Sequence, residues 1–470
     1  MRAGRALLAA VKRWFVWRSV RNIAVGFLLT HMAFGAVGAG QGVTIRIQST
    51  FSEINLARFQ LVKEAFEAKH PHIKLELAEQ PSDTETASWT DITLVAIVAG
   101  TAPDVFQTWG PFHVDWAERG LLLELNRYIE RDFTAAEIAD YFPPTWLGGE
   151  LCCGENRGLR FAVPRYVNVG VTWYNIDHFN EAGLVTPDVL YRQGAWTWEA
   201  LREAARRLTV RSDDQVRRWG VIDRMLLDTR WAGLVHAAGG SVSSWPYEPL
   251  QMTVDTPEVQ AAWEFQRDLR HVDQSMPATP RVHSLDLFIN EQASMALGDG
   301  TAALGNAFTT RIAGAFNWNI VPDPAGPSGK HVSWTAADSW SINAFTPHPD
   351  EAWEVVKFLT RPEGAALWNF GSERIEGPAR YSLAEAYAER LPAPLHAWAL
   401  FDAATHAVLM PDQYLPGAAQ LRQLFYEALD RSVVDNRVAI EVTLAEIQPV
   451  AQALLEEGLR IQAELRQTGR

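Results

Sequence analysis

Cysteine is almost missing from this 470-residue chain: only Cys152 and Cys153 occur, and they are neighbours. A zinc site would require further ligands close by, and none appear within metal spacing of the pair. Within the turn-rich stretch GGELCCGENRG the two read as structural, whether joined to each other or left reduced. No cysteine lies near the end of the N-terminal apolar stretch, which excludes the lipid anchor that many exported proteins carry. Also absent are a Gly-x-Ser-x-Gly elbow, a His-Glu-x-x-His helix and a phosphate loop. No cofactor is therefore expected. Short repeats and low-complexity linkers are missing too. Beyond residue 39 no stretch is apolar enough to span a membrane.

Positive charge is also scarce. The chain has 42 Lys and Arg against 56 Asp and Glu, and six of the cations fall in the first 39 residues, which hold no acid. Without that leader the balance is 36 against 56, which argues against nucleic acid as a partner. It also weighs against a strongly anionic ligand, although a local pocket can override net charge. The leader itself is basic and then apolar from Ile23 to Ala39, with Val37 and Ala39 suited to a signal-peptidase site. Residues 1–39 are thus expected to be a cleaved signal peptide, with retention as an anchor the alternative, and the mature chain to be periplasmic.

Beyond the leader the chain is regularly patterned. Val43, Ile45 and Ile47 alternate as a strand. Phe59, Val62 and Phe66 recur at helical spacing, Pro71 stops that helix, and Ile73, Leu75 and Leu77 alternate again. WTDITLVAIVAG reads as a helix leading into GTAPDVFQTWG, where Val105 and Phe106 form a short buried strand. This order predicts a parallel sheet with right-handed crossovers, whose ligands bind beyond the carboxyl ends of the strands. Further along, FAVPRYVNVGVTWYN is extended, TWEALREAARRLT is a helix capped by Thr197, and 219–223 is a strand. Residues 255–270 and 285–297 have helical patterns, 330–345 is extended, and DEAWEVVKFLT is a helix with Ala352, Val355, Val356 and Leu359 on one face.

Several of these stretches, taken together and in order, resemble family 1 extracellular solute-binding proteins of ABC importers, the group that contains maltose-binding protein. They are EAFEAKHPHIKLEL, AGTAPDVF, GLLLEL, FAVPRYVNVGVTWYNIDHFNEAGL, AWTWEALREAARRLT, FINEQASMALGDG and AADSWSINAFTPHPDEAWEVVKFLTRPEGAALW. Two departures stand out: the loop at Gly298-Asp299-Gly300 lacks the tryptophan often found there, and Cys152-Cys153 is outside the pattern. The resemblance implies an α/β periplasmic-binding-protein fold with two lobes that close on a ligand. By segment, the N-terminal lobe would comprise 43–163 and 343–378, and the C-terminal lobe 168–340 and 380–470. Hinge crossings would fall near 164–167, 340–342 and 377–380. The expected ligand is a sugar or oligosaccharide, handed to transmembrane permease subunits of an ABC importer by a monomeric receptor.

Tryptophan is abundant, 17 of the 19 lying beyond the leader. Trp173, Trp198, Trp263 and Trp353 lie within elements and read as core. Trp109, Trp231, Trp245, Trp334 and Trp340 are flanked by turn residues, and each either anchors its loop or offers an aromatic face to a pyranose. Trp109 and Trp340 are favoured because their loops lie at strand ends. Thr50, Ser52 and Glu53 after the first strand, Tyr166, Asn168, Asp299, Asp338, Arg374 and Tyr414 complete the candidate set, each suited to hydroxyl recognition or to a local capping bond. Arg165, Arg374 and Arg380 supply charge that keeps a sugar phosphate open beside a polyol. A secreted glycoside hydrolase is the remaining alternative, since Glu53, Asp299 and Asp338 could converge as a carboxyl pair.

Overall fold

Alternation and helical spacing organise the first described elements as the sequence predicts. The structure, a computed structural model, describes residues 42–470 except 50–52, 80–88, 110, 154–156, 214, 227, 247–249, 279–283, 302–303, 305–310, 373–374, 392–394 and 468–470. The expected signal peptide lies outside the described residues. Strand β1 (Val43–Ser49) pairs in parallel with β2 (Ile73–Glu79), and the helix Glu53–Lys69 connects them. The helix Trp89–Val98 then leads to β3 (Val105–Thr108), which is parallel to β1 on its other side. Period-two alternation sorts the side chains of β3. Val105 joins a core with Ile45, Ile47 and Phe66, while Phe106 faces a second core with Ile97 and Trp116.

The remaining strands extend the same sheet. They are β4 (Ala162–Asn175), β7 (Ile222–Asp223), β8 (Met295–Gly300), β9 (Trp318–Val321), β10 (Trp334–Ile342) and β11 (Val408–Leu409), with β5 (Val210–Ser212) and β6 (Gln215–Arg218) forming a separate hairpin. The order is β2-β1-β3-β10-β4-β8-β7, with β11 beside β10 and β9 beside β4. The β4–β10 pair joins the two ends of this sheet. The end of β10 pairs with β3 through Ser339 to Ile342, while its beginning pairs with β11. In β4 the early residues sit opposite Ser339, Trp340 and Ser341, and the later ones opposite β8 and β9.

The β4–β10 ladder contains one irregularity. Tyr166 faces Asp338 and Pro164 faces Ser339, so Arg165 is an extra residue in β4. Such a bulge bends a strand and re-aims the side chains around it. A third segment runs alongside: Val167 N–H donates to the Gly377 carbonyl at 2.9 Å, and Tyr166 bridges Pro378.

Beyond the sheet, Thr197 caps the helix Trp198–Leu208 by accepting from the Ala200 N–H, and the helix Pro349–Thr360 buries Ala352, Val355, Val356 and Leu359. Trp173, Trp198, Trp263 and Trp353 are all buried. Cys152 and Cys153 form a disulfide and are buried. The helical reading of 285–297 needs correction: the helix covers only Ser284–Ile289, and Met295 begins β8. All six residues of β8 are buried, and burial on both faces hides the period of a strand.

Trp340 is also corrected. It is fully buried and meets Trp368 edge-on at 5.0 Å, in the core with Ile47 and Trp353. Trp340→Ala should therefore cost about 3–5 kcal/mol of folding stability, read as a fall in the urea midpoint of the unliganded protein. An unchanged midpoint would return Trp340 to the list of ligand contacts.

Candidate functional site

A cleft of about 430 Å³ lies where the two ends of the sheet meet. Its floor comes from alternate residues of the two longest strands. Trp334, Ala336 and Asp338 of β10 and Tyr166 and Asn168 of β4 all line it, with Asn168 opposite Ala336 and Tyr166 opposite Asp338. On one side stand Trp109, directly beyond the carboxyl end of β3, and Phe112 in the helix Pro111–Glu118. Their rings meet edge-on at 5.8 Å. The other side is built from Asp228 and Arg230 after β7, Met410 and Gln413 after β11, and Arg422 in the helix Ala418–Leu429.

The floor is polar and electrostatically tuned. Burial is the main reason that the Asp338 carboxyl is pushed up to about 6, against the pull of Arg165 and of hydrogen bonds from Tyr166 and Asn168. Arg165 stacks on the Tyr166 ring at 4.1 Å and donates from Nη1 to Glu376 at 3.1 Å. Glu376 is itself buried and also lies 3.4 Å from Arg58. Trp334 donates from Nε1 to the Gly298 carbonyl at 2.9 Å and lies tight against Gly170, where a Cβ would come within 2.4 Å of that nitrogen. Only glycine leaves room for the indole there. The guanidinium of Arg230 lies over the same indole, 4.3 Å from its centre.

The candidate residues divide into groups. Trp109, Tyr166, Asn168, Trp334 and Asp338 come together in the cleft. Trp334 is fully buried beneath Arg230, so its ring supports the arginine. Four others lie elsewhere. Trp231 is fully buried against Trp263 and Phe425, because its neighbour Arg230 takes the outward position. Trp245 packs on Tyr414 with ring centres 4.9 Å apart, and Tyr414 is buried with its hydroxyl 3.4 Å from Ser243. Asp299 is 1% exposed, accepts from the Gly300 N–H and lies 3.5 Å from Arg224. Thr50, Ser52 and Arg374 fall outside the described residues, as does the side chain of Glu53. Arg380 is bound to the Thr360 and Glu137 carbonyls and to Asp140 and Tyr141, which makes it structural.

Sequence reasoning missed Phe112, Asp228, Arg230, Met410, Gln413 and Arg422. Arg230 was within reach, since DTRW at 228–231 is a turn at which one of two adjacent large residues must face outward. Arg422 was not, because a helical arginine in a mostly polar surface carries no local mark.

The family model for bacterial extracellular solute-binding proteins matches residues 52–366. The chain belongs to that family. A binding protein of Brucella abortus is 21% identical over 309 residues, 66% of this chain and 69% of its own length. An ABC substrate-binding protein of Listeria monocytogenes, solved with cycloalternan, has a TM-score of 0.71 at 20% identity, over 87% of this chain and 98% of its own. A solute-binding protein of Thermotoga lettingae, solved with α-D-tagatose, has a TM-score of 0.69 at 20% identity, over 88% of this chain and all of its own. The family's two-lobed fold is the architecture described above, with the cleft at its centre.

The buried carboxyl of Asp338 gives a pH signature. Folded, it holds its proton more tightly than an unfolded aspartate of pKa about 3.9. Its stabilising contribution is therefore full below about pH 4 and is lost as pH rises through about 6. Asp338→Asn should flatten this window and raise unliganded stability at about pH 7.5 by on the order of 2 kcal/mol, measured by urea unfolding across pH. Parallel pH curves for the two proteins would contradict the assignment.

Proposed function

We propose that this protein is the substrate receptor of an ABC importer, binding a sugar or oligosaccharide in the cleft and delivering it to the permease subunits. The observation that carries this reading is Trp109. It is a half-buried indole at the carboxyl end of a parallel strand, set beside a floor of hydrogen-bonding groups from Asp338, Asn168 and Tyr166. An apolar ring face on one side and paired donors and acceptors on the other match the two surfaces of a pyranose. The saccharides in the Listeria and Thermotoga structures support the same reading.

The mechanism is closure. The three segments near 164–167, 340–342 and 377–380 serve as the hinge, with residues 43–163 and 343–378 as one lobe and 168–340 and 380–470 as the other. Ligand contacts divided between lobes exist together only in the closed form, so ligand shifts the population toward it. Gln462 donates to Glu118 at 2.8 Å, joining the helices Ile440–Gln467 and Pro111–Glu118, which belong to different lobes in this division. A periplasmic, monomeric receptor without catalytic activity fits this role. A hydrolase reading calls on Asp299 as one of its carboxyls, and that residue is buried beside Arg224.

A thermal-shift screen against mono- and oligosaccharides tests the proposal. A cognate ligand at a hundred times its dissociation constant adds about 2.7 kcal/mol. Trp109→Ala should weaken binding about tenfold or more while leaving the unliganded melting temperature nearly unchanged. Turnover of a glycoside, or no shift with any saccharide, would contradict it.

A further inference from the structure

The charges around the cleft are unevenly matched. Arg165 has Glu376 at hydrogen-bond distance. On the opposite side Arg224, Arg230 and Arg422 face three carboxyl groups, Asp228, Asp299 and Asp412. Asp228 lies 3.5 Å from Arg230 and 3.7 Å from Arg422, and its Oδ1 accepts from the Tyr426 hydroxyl at 3.3 Å. Asp299 and Asp412 are 1% and 2% exposed. Burial pushes both carboxyls up, Asp412 to about 7, which draws them toward the neutral form. Asp228 is thus shared between two permanently charged guanidiniums, those of Arg230 and Arg422.

Arg230 is the focus of this cluster. Its side chain is only 12% exposed and is fixed over the Trp334 indole, which is itself held by Gly298 and accommodated by Gly170. Its Nε and Nη1 are buried without a hydrogen-bond acceptor among the described residues. A guanidinium removed this far from water calls for acceptor oxygens, and an unmet donor of this kind is costly. A charge held rigidly on an aromatic platform is also preorganised for recognition, because little side-chain freedom remains to be lost on binding.

Resting on the carbohydrate reading above, we infer that the ligand is an acidic saccharide whose anionic group, a carboxylate or a phosphate, docks at Arg230 with Arg422 beside it. The sugar ring then lies toward Trp109 and the β4–β10 floor. The overall acidity of the chain does not oppose this, because the recognition is local. It also gives the unequal walls of the cleft separate tasks: an aromatic side for the ring and a cationic side for the charge.

Calorimetric titration of the wild-type protein with matched sets tests the inference: a neutral saccharide, its uronic-acid counterpart and its phosphate monoester. One acidic arm should bind about ten- to a hundredfold tighter than the neutral arm, and the preference should shrink as salt rises. The winning arm distinguishes carboxylate from phosphate. Arg230→Gln should abolish the preference and Arg230→Lys should keep part of it. Should Arg230→Gln not fold, Arg422→Gln and the wild-type salt dependence decide the same point. Neutral sugars binding as tightly as both acidic arms would overturn this inference and leave the carbohydrate reading standing. Binding by no saccharide would remove both.

Discussion

The antiparallel pairing of β4 with β10 is the constraint on which the rest of the molecule depends. Only these two strands run from the β1–β3 end of the sheet to the β7–β9 end among the described residues. Their ladder sets Tyr166 opposite Asp338 and Asn168 opposite Ala336, which makes the cleft floor a property of register. The extra residue Arg165 alters the alternation where the strands pass from one core to the other. On one side of that bulge, positions 334, 336 and 338 face the cleft; two residues further on, Trp340 is buried against Trp368. The same face of β10 thus passes from cleft lining to core within two residues.

Much of the fold was legible because burial in its strands and helices follows simple periods. Ile45 and Ile47, Phe59, Val62 and Phe66, and Val105 with Phe106 lie where alternation and helical spacing put them. The strand β8 was not legible, since burial on both faces leaves no period to read. In the site, Trp109 was readable from the strand-end rule, and Tyr166, Asn168 and Asp338 from their place beside the strand crossing. Trp340 was misplaced because it shares the face of β10 with Trp334, Ala336 and Asp338, and its burial depends on tertiary packing against Trp368 that the local sequence does not show. Trp231 was misplaced by one residue, the cleft belonging to Arg230. The arginine cluster was hidden because Arg224, Arg230 and Arg422 meet only through tertiary packing.

Electrostatics give the cleft its character. An acidic chain presents guanidiniums within its central cavity, while the nearby carboxyls of Asp299, Asp338 and Asp412 are buried and shifted toward neutrality. The aromatic groups divide between two tasks. Trp109 and Phe112 shape one wall, whereas Trp334 and Tyr166 lie beneath Arg230 and Arg165 and hold those charges in place. Shape and charge are thus set by different side chains, each fixed by the sheet below.

A crystal structure with a bound saccharide tests the central claim most directly. The account predicts one ligand in the cleft, its ring against Trp109 and its hydroxyls on Asp338 and Asn168. A ligand seated outside the cleft, with Trp109 and Asp338 both free of it, would contradict the account.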